Sequence, residues 1–307
     1  MELRDRARGC LLGLAAGDAV GATVEFKPRG SFTPLTDMVG GGPFGLQPGQ
    51  WTDDTSMALC LGYSLDECQG FDARDQMTRY VRWWRKGYLS STGHCFDIGV
   101  TVSGALRKFQ HTGDPFAGST DPHKAGNGCI MRLAPIPLFY YPQIDLAEQY
   151  AAESARTTHG AVECLDASRL LARMLVRALM GASRDEILFG DAATFQGAPK
   201  IAAIAHGVYR DKPASDIHGS GYVVDCLEAA LWCFDRTNTF AEAVLLAANL
   251  GDDADTTAAV CGQIAGAYYG ATGIPATWRA KLTMETEIEA LAERLVHNPE
   301  RRTGRDY

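Results

Sequence analysis

The chain is 307 residues long, with 46% hydrophobic and 21% charged residues, a globular composition that excludes extended disorder. Its net charge of −8 excludes the broad basic footprint of a nucleic-acid binder and the polybasic face of a membrane-surface protein. The nine cysteines (10, 60, 68, 95, 129, 164, 226, 233 and 261) lack CxxC spacing and lie mostly in apolar helical contexts, as reduced thiols do. No charged leader precedes an apolar core, and no apolar run reaches spanning length, so a cytoplasmic protein with no membrane contact is expected.

Residues 4–21 read as a helix in which Gly9, Gly13, Gly17 and Gly21 recur every fourth position. This spacing draws a flat stripe on one face and permits close approach of another helix, at about 1 kcal/mol of propensity per glycine. The helix must end by Pro28, and Glu25 stands alone among apolar neighbours, on pattern a surface or capped carboxylate. Residues 28–50, with Gly40-Gly41-Gly42-Pro43 and Gln47-Pro48-Gly49, read as a mobile loop. It leads into Trp51-Thr52-Asp53-Asp54-Thr55 and a helix over 57–65. An amphipathic helix over 71–88 follows, with Tyr80, Trp83 and Trp84 on an aromatic face. Asp97 precedes a helix over 100–110, where capping is one role open to it.

Residues 111–128 are rich in Gly, Asp and Pro and end in Lys124-Ala125-Gly126-Asn127-Gly128. A glycine-flanked amide ahead of Cys129-Ile130-Met131 is either a plain turn or a loop that cradles an anion with backbone N–H groups. The periodicity predicts helices over 146–156, capped by Asp145, and over 161–180. His159 lies between them, a position where a structural, hydrogen-bonded histidine is commoner than a ligand. Shorter helices are expected over 202–209, 222–234 and 240–250, and a last one over 281–296. No stretch alternates as strands do and no linker divides the chain, so the expected fold is all-α.

The densest chemistry is in Gly251-Asp252-Asp253-Ala254-Asp255-Thr256-Thr257, just ahead of a small, apolar helical run over 258–267. One side chain suffices to cap a helix, and here five oxygen-bearing residues crowd the turn. The stretch around Asp53 repeats the pattern some two hundred residues upstream. Together Thr52, Asp53, Asp54, Asp253, Asp255 and Thr256 offer four carboxylates and two hydroxyls, hard ligands suited to Mg2+, Mn2+ or Ca2+. So many like charges need cations to stand close, and two divalent ions bridged by one carboxylate would relieve the repulsion and activate water. No His/Cys cluster has zinc spacing. The chemistry indicated is metal-assisted hydrolysis, with phosphoester, phosphoanhydride and glycosidic bonds all open.

The chain resembles the ADP-ribosylglycohydrolase family through Gly9-Cys10-Leu11-Leu12-Gly13, Gly17-Asp18-Ala19, Glu25 and Trp51-Thr52-Asp53-Asp54-Thr55. The likeness continues through Phe96-Asp97-Ile98-Gly99, Gly126-Asn127-Gly128 with Met131-Arg132, Thr158-His159, Gly221-Tyr222-Val223-Val224-Asp225 and Asp253-Ala254-Asp255-Thr256, in the family's order. It implies a compact single-domain orthogonal helical bundle over 1–297, with an Arg-rich, frayed tail over 298–307. It also implies two Mg2+ or Mn2+ ions, one held by Thr52, Asp53, Asp54 and Asp255, the other by Asp253, Asp255 and Thr256. Glu25 would match the family's flexible-loop glutamate, and Asp53 or Asp54 would be the base. Gly126, Asn127 and Gly128 would meet the diphosphate of ADP-ribose, with His159 near it and Tyr222 against the nucleoside end. Asp97 would face the modified side chain, where a carboxylate suits a guanidinium leaving group. The expectation is a monomeric hydrolase that releases ADP-ribose from ADP-ribosylated protein, most naturally from arginine. The alternatives are another ADP-ribosyl linkage (serine, nucleobase or O-acetyl-ADP-ribose), or a non-catalytic ADP-ribose-binding or immunity protein.

Overall fold

The computed structural model describes residues 1–190 and 192–297, so the expected tail over 298–307 lies outside the described residues. Fourteen α-helices carry the described fold, and the bridges at Gly41–Leu46, Ser119–His159 and Gly126–Tyr222 are isolated ones. The helices are α1 (Leu3–Gly21), α2 (Asp53–Cys68), α3 (Ala73–Lys86), α4 (Val100–Thr112), α5 (Pro135–Tyr140), α6 (Ile144–Arg156) and α7 (Val162–Met180). They continue with α8 (Arg184–Phe189), α9 (Pro199–Ala205), α10 (Val223–Asp235), α11 (Phe240–Ala248), α12 (Ala254–Tyr269), α13 (Ala276–Arg279) and α14 (Glu285–Val296). No described helix is long and apolar enough to cross a membrane.

The glycine stripe finds its partner in α12, which carries small residues of its own. A Cβ on Gly13 would stand 2.2 Å from the Gly262 carbonyl oxygen, one on Gly17 2.1 Å from that of Ala258, and one on Gly262 2.0 Å from that of Gly13. Backbone touches backbone over four turns, so dispersion contacts accumulate where no side chain fits. Gly9 faces Gly266 while Gly21 faces Ala254, which makes the pair antiparallel. The C-terminal end of α1, with Glu25 just beyond, therefore meets the N-terminal end of α12, with Asp253 and Asp255. Every residue of α12 from Ala254 to Ala267 is buried, because α10 and α11 also pack against it.

A second apolar cluster joins α2, α3 and α4 through Met57, Met77, Tyr80, Trp83 and Leu106. Trp84, predicted on the same aromatic face, instead lies partly exposed under the Arg85 guanidinium, 3.7 Å from its ring. The loop over 28–50 is irregular but tethered rather than loose. Leu35 N–H donates to Asn249 Oδ1 (2.7 Å), Asn249 Nδ2 donates to Leu35 O (3.0 Å), and Lys281 Nζ reaches Asp37 Oδ2 (3.2 Å). The fully buried Trp51 indole closes the loop by donating to Thr283 O at 3.1 Å.

Elsewhere the periodicity misses boundaries and short elements. Asp145 makes no cap: α6 begins at Ile144, two residues before the expected start, with Gln143 at the N-cap and Asp145 inside the first turn. The last helix starts at Glu285 rather than 281, because Thr283 N–H is drawn to Gly49 O and Met284 adopts φ 59°. The six-residue α5 and α8 are too short for a 3.6-residue period to register, although Ser183 and Glu186 form a capping box on α8.

The α1–α12 contact predicts that Gly13→Ala destabilises the protein. The methyl would gain about 1 kcal/mol of helix propensity but meet a carbonyl oxygen, and overpacking of this kind costs about 1–3 kcal/mol or more. Urea unfolding should show a lower midpoint; an unchanged or raised midpoint would contradict the close backbone contact.

Candidate active site

The two acidic stretches form the N-terminal turns of α2 and α12. Thr52 and Asp253 occupy the N-cap positions, yet neither makes a side-chain capping bond. The caps come from elsewhere in the chain. Asp18 Oδ1 accepts from Thr52 N–H (2.8 Å), and its Oδ2 accepts from Thr55 N–H (3.0 Å) and Thr55 Oγ1–H (2.6 Å). Glu25 Oε2 accepts from Ala254 N–H (2.8 Å) and Asp255 N–H (3.2 Å). Carboxylates borne on or just after α1 thus occupy the free N–H groups of both helices. The helices' own oxygens are released to face one another.

They do so closely. Thr52 Oγ1 donates to Asp255 Oδ2 at 3.2 Å, and Thr256 Oγ1 approaches Asp54 Oδ2 at 3.4 Å, so stretches two hundred residues apart share one buried cluster. Asp253 Oδ2 accepts from Asn127 Nδ2 at 3.0 Å. Carboxylate oxygens of Glu25, Asp253 and Asp255 all lie within 4.8 Å of one another.

Burial, together with the neighbouring negative charges, dominates the electrostatics. Asp253 and Asp255 are pushed up to about 7, mainly by burial and then by the charges of Asp255 and Asp97 respectively. Burial also raises Asp18 and Asp97 to about 6, and Glu25 to about 12 with the help of Asp255 and Asp253. Asp53 and Asp54 move up in the same direction for the same reason. Carboxyls raised by burial and by one another ionise more readily beside a positive charge. Asp54 Oδ1 is buried with no hydrogen-bond partner among the described residues, an acceptor left over for a cation. Oxygen donors of this kind fit a hard divalent ion, so the acidic cluster can hold a metal.

A cavity of about 350 Å3 opens onto the cluster, lined by Glu25, Asp53, Asp97, Asp253, Asp255 and Thr256 among others. Thr52 and Asp54 are buried beside it but do not line it. Asp97 lines the cavity and caps nothing: the N-cap of α4 is Gly99, and Asp97 is held at φ 59°. The floor continues through Gly126, Asn127 and Gly128, a short 3-10 turn pinned to the start of α10 by Asn127 N–H to Gly221 O and Val223 N–H to Ala125 O, both 3.0 Å.

His159 packs beneath this turn. A Cβ on Gly128 would stand 2.7 Å from its Cε1, so glycine there is a matter of space. The ring bonds Thr158 Oγ1 at 2.8 Å, and burial with the nearby Arg132 lowers its pKa to about 3, which keeps it neutral. Arg132 is itself fully buried, donating to Thr158 Oγ1 at 2.6 Å with its guanidinium over the Tyr80 ring. Past Gly126 the cleft widens into a cavity of about 780 Å3 lined by His123, Lys124, Glu163, Lys200 and Tyr222. The Tyr222 hydroxyl donates to Glu163 and accepts from Lys200 Nζ at 2.9 Å. One end of the cleft is acidic and the other carries basic and aromatic groups.

The residues expected from sequence to be catalytic, to hold metal or to meet ADP-ribose border or underlie this cleft. Sequence reasoning missed the capping role of Asp18, whose only signal was an ionisable residue inside an apolar helical run. It also missed Glu163 and Lys200, which lie on the predicted helix over 161–180 and on α9, with no local pattern to mark them.

The described fold is all-α, with a buried cluster of carboxylate and hydroxyl oxygens at the base of a cleft, an arrangement suited to a carboxylate-centred hydrolase. The chain belongs to the ADP-ribosylglycohydrolase family, whose sequence pattern matches residues 1–304. It is 46% identical to the ADP-ribosylarginine hydrolase Tri1 of Pseudomonas putida, over 95% of this chain and 78% of that protein. The Tri1 protein of Serratia proteamaculans, with the same descriptive name, is 43% identical over 96% of this chain and 80% of its own length. The ADP-ribosyl-[dinitrogen reductase] glycohydrolase of Rhodospirillum rubrum is 34% identical over 94% of both chains. A solved structure described as an ADP-ribosylglycohydrolase-related protein complex superposes with a TM-score of 0.86 at 45% identity, over 96% of this chain and 98% of that one.

The raised carboxyls give the metal-free protein a pH signature. Asp253 and Asp255 keep protons up to pH about 7 when folded, whereas an unfolded aspartate loses its proton near pH ~4. The folded chain binds more protons than the unfolded one in this window, so their contribution to stability falls as pH rises from about 4 to about 7. A divalent cation held by the deprotonated cluster would restore it. The rise in Tm caused by Mg2+ or Mn2+ should therefore grow with pH across the window; a rise that is constant or shrinks would contradict the buried, proton-sharing cluster.

Proposed function

We propose that the chain hydrolyses the N-glycosidic bond between ADP-ribose and an arginine side chain of a modified protein, releasing free ADP-ribose. The observation that carries this reading is Asp97, a half-buried carboxylate on the wall of the acidic cavity, held at φ 59° with its side chain against Asp255. A guanidinium leaving group can pair with it bidentately, and a serine hydroxyl cannot. The names of the Pseudomonas putida and Serratia proteamaculans relatives support the same linkage.

The donor set suits two Mg2+ or Mn2+ ions, one on Thr52, Asp53, Asp54 and Asp255 and the other on Asp253, Asp255 and Thr256, with Asp255 common to both. Ions held there would supply an activated water and ligand positions for the ribose hydroxyls. The protein's own residues do the rest. Asn127 fixes the Asp253 carboxylate, while Asp18 and Glu25 hold the two helix ends in register. The Gly126–Gly128 turn, whose Gly126 and Asn127 N–H groups already donate to Lys124 O and Gly221 O, and the neutral His159 line the cavity where the diphosphate would lie. His123, Lys124, Lys200 and the Tyr222 ring line the wider end, where the nucleoside and its phosphates would lie. Asp53, which lines the cavity, is better placed than Asp54 to exchange a proton with water at the anomeric carbon.

Two substitutions test the assignment. Asp255→Ala removes a carboxylate common to both ion sites and should abolish cation binding together with nearly all release of ADP-ribose; turnover near wild type would sink the paired-ion reading. Asp97→Asn should leave cation binding intact and slow release from arginine adducts, with no comparable loss on serine adducts. Equal loss on both linkages would remove Asp97 from leaving-group recognition. The direct experiment measures free ADP-ribose from arginine-linked and serine-linked substrates, each with Mg2+, Mn2+ or excess chelator. Cation-dependent release from arginine alone is expected.

A further inference from the structure

The mouth of the acidic cavity is apolar. Phe26 is 64% exposed and Val100 88% exposed, and both line the cavity together with Ile98. Scattered exposed apolar side chains are ordinary, but these line one cavity, and Phe26 begins an aromatic arch. Phe26 meets Phe44 edge-on with ring centroids 6.2 Å apart, and Phe44 meets Phe96 at 5.2 Å. The arch joins the loop after α1, which carries Glu25, to the loop before α4, which carries Asp97, with Phe44 as its middle ring.

The backbone is strained to produce this arrangement. Phe26 lies at φ 63° and Asp97 at φ 59°, in the left-handed region that non-glycine residues seldom enter. Phe26 is fixed there by its N–H bond to Asp252 O (2.8 Å), with Asp252 N–H returned to Lys27 O (2.9 Å). At each strained point an acidic residue lies next to an aromatic one: Glu25 beside Phe26, Asp97 beside Phe96. Glu25 is 4% exposed while its neighbour Phe26 stands out in solvent, so the turn divides the pair between cavity and rim.

We infer that this aromatic rim is the docking surface for the polypeptide that carries the ADP-ribosylated side chain, gripping apolar residues next to the modified position. The inference rests on the proposed hydrolase reading and extends it from the linkage to the protein around it. The reasoning is one of continuity. A substrate whose sugar lies in the acidic cavity and whose leaving group faces Asp97 must leave the cavity over Phe26, Ile98 and Val100. The flanking main chain then lies against the arch, which offers apolar area and ring faces with no fixed hydrogen-bonding pattern. Such a surface holds many apolar sequences, so it improves binding of protein substrates without touching the reacting bond.

The test compares two substrates on Phe44→Ala and Phe96→Ala, neither of which lines the cavity: an arginine-ADP-ribosylated protein and the free amino-acid adduct ADP-ribosyl-arginine. Loss of one buried aromatic contact should raise KM for the modified protein roughly 10-fold or more with kcat little changed. The kcat/KM for the free adduct should stay within about twofold of wild type. Equal losses on both substrates would mean that the arch shapes the cavity and would overturn the inference, as would no loss on either. Sedimentation of the wild type and both variants closes the remaining route: a dimer that the substitutions dissolve would assign the rim to a second copy of the chain. If the wild type hydrolyses neither substrate, the hydrolase reading fails on its own. Binding of the modified protein to the same variants, read by fluorescence anisotropy in chelator, then judges the rim separately: weaker binding by the variants supports it and unchanged binding rejects it.

Discussion

Everything in this structure depends on the backbone contact between α1 and α12. Two helices that share a seam of glycines and alanines have their positions along and around each other fixed to within the size of a methyl group, since a Cβ on Gly13 or Gly262 would come within about 2 Å of a carbonyl oxygen. That antiparallel registration decides which residues meet at its end. Gly21 faces Ala254, so Glu25 reaches the first N–H groups of α12, and Asp18, one turn earlier on α1, reaches those of α2. Three segments far apart in sequence converge because one pair of helices cannot slide.

The same contact explains how the fold tolerates a cluster that electrostatics opposes. Buried aspartates crowded together oppose one another's ionisation, and burial with the neighbouring charges raises their pKa values. The cost is borne by a core in which α12 is buried from Ala254 to Ala267 and α1 is almost wholly enclosed. Borrowed caps are part of this solution. If Thr52 and Asp253 capped their own helices, their oxygens would be turned into the backbone and lost to the shared cluster; Asp18 and Glu25 take over that work. A helix N-terminus ordinarily attracts one negative group, and here two N-termini with their caps gather enough oxygen to hold a cation.

Much of this was legible in the sequence, for reasons that can be stated residue by residue. The four-residue period of Gly9, Gly13, Gly17 and Gly21 announces a seam, and the small run after Thr257 supplies its other side. Asp253, Asp255, Asp53 and Asp54 exceed what capping can use, and their excess betrays a shared site. The long helices follow from periodicity. What sequence could not carry is whatever depends on a partner with no pattern of its own. Asp18 is a lone carboxylate in an apolar helix until Thr52 and Thr55 are seen at its oxygens. Arg132 and His159 become a unit only when Thr158 bridges them. Asp145 has the composition of a cap without its geometry, because α6 already starts at Ile144. The aromatic arch joins positions 26, 44 and 96 across three loops, where no period exists to be read.

The central claim is that two helix ends, aligned by α1, create one centre for two hard divalent cations. Titration of the metal-free chain with Mn2+, followed by electron paramagnetic resonance, addresses it most directly. Two equivalents per chain are expected, with the spectrum of the filled protein dominated by spin-coupled pairs rather than isolated ions. Binding of a single uncoupled equivalent, or spectra unchanged by Asp255→Ala, would contradict a shared centre built on that carboxylate.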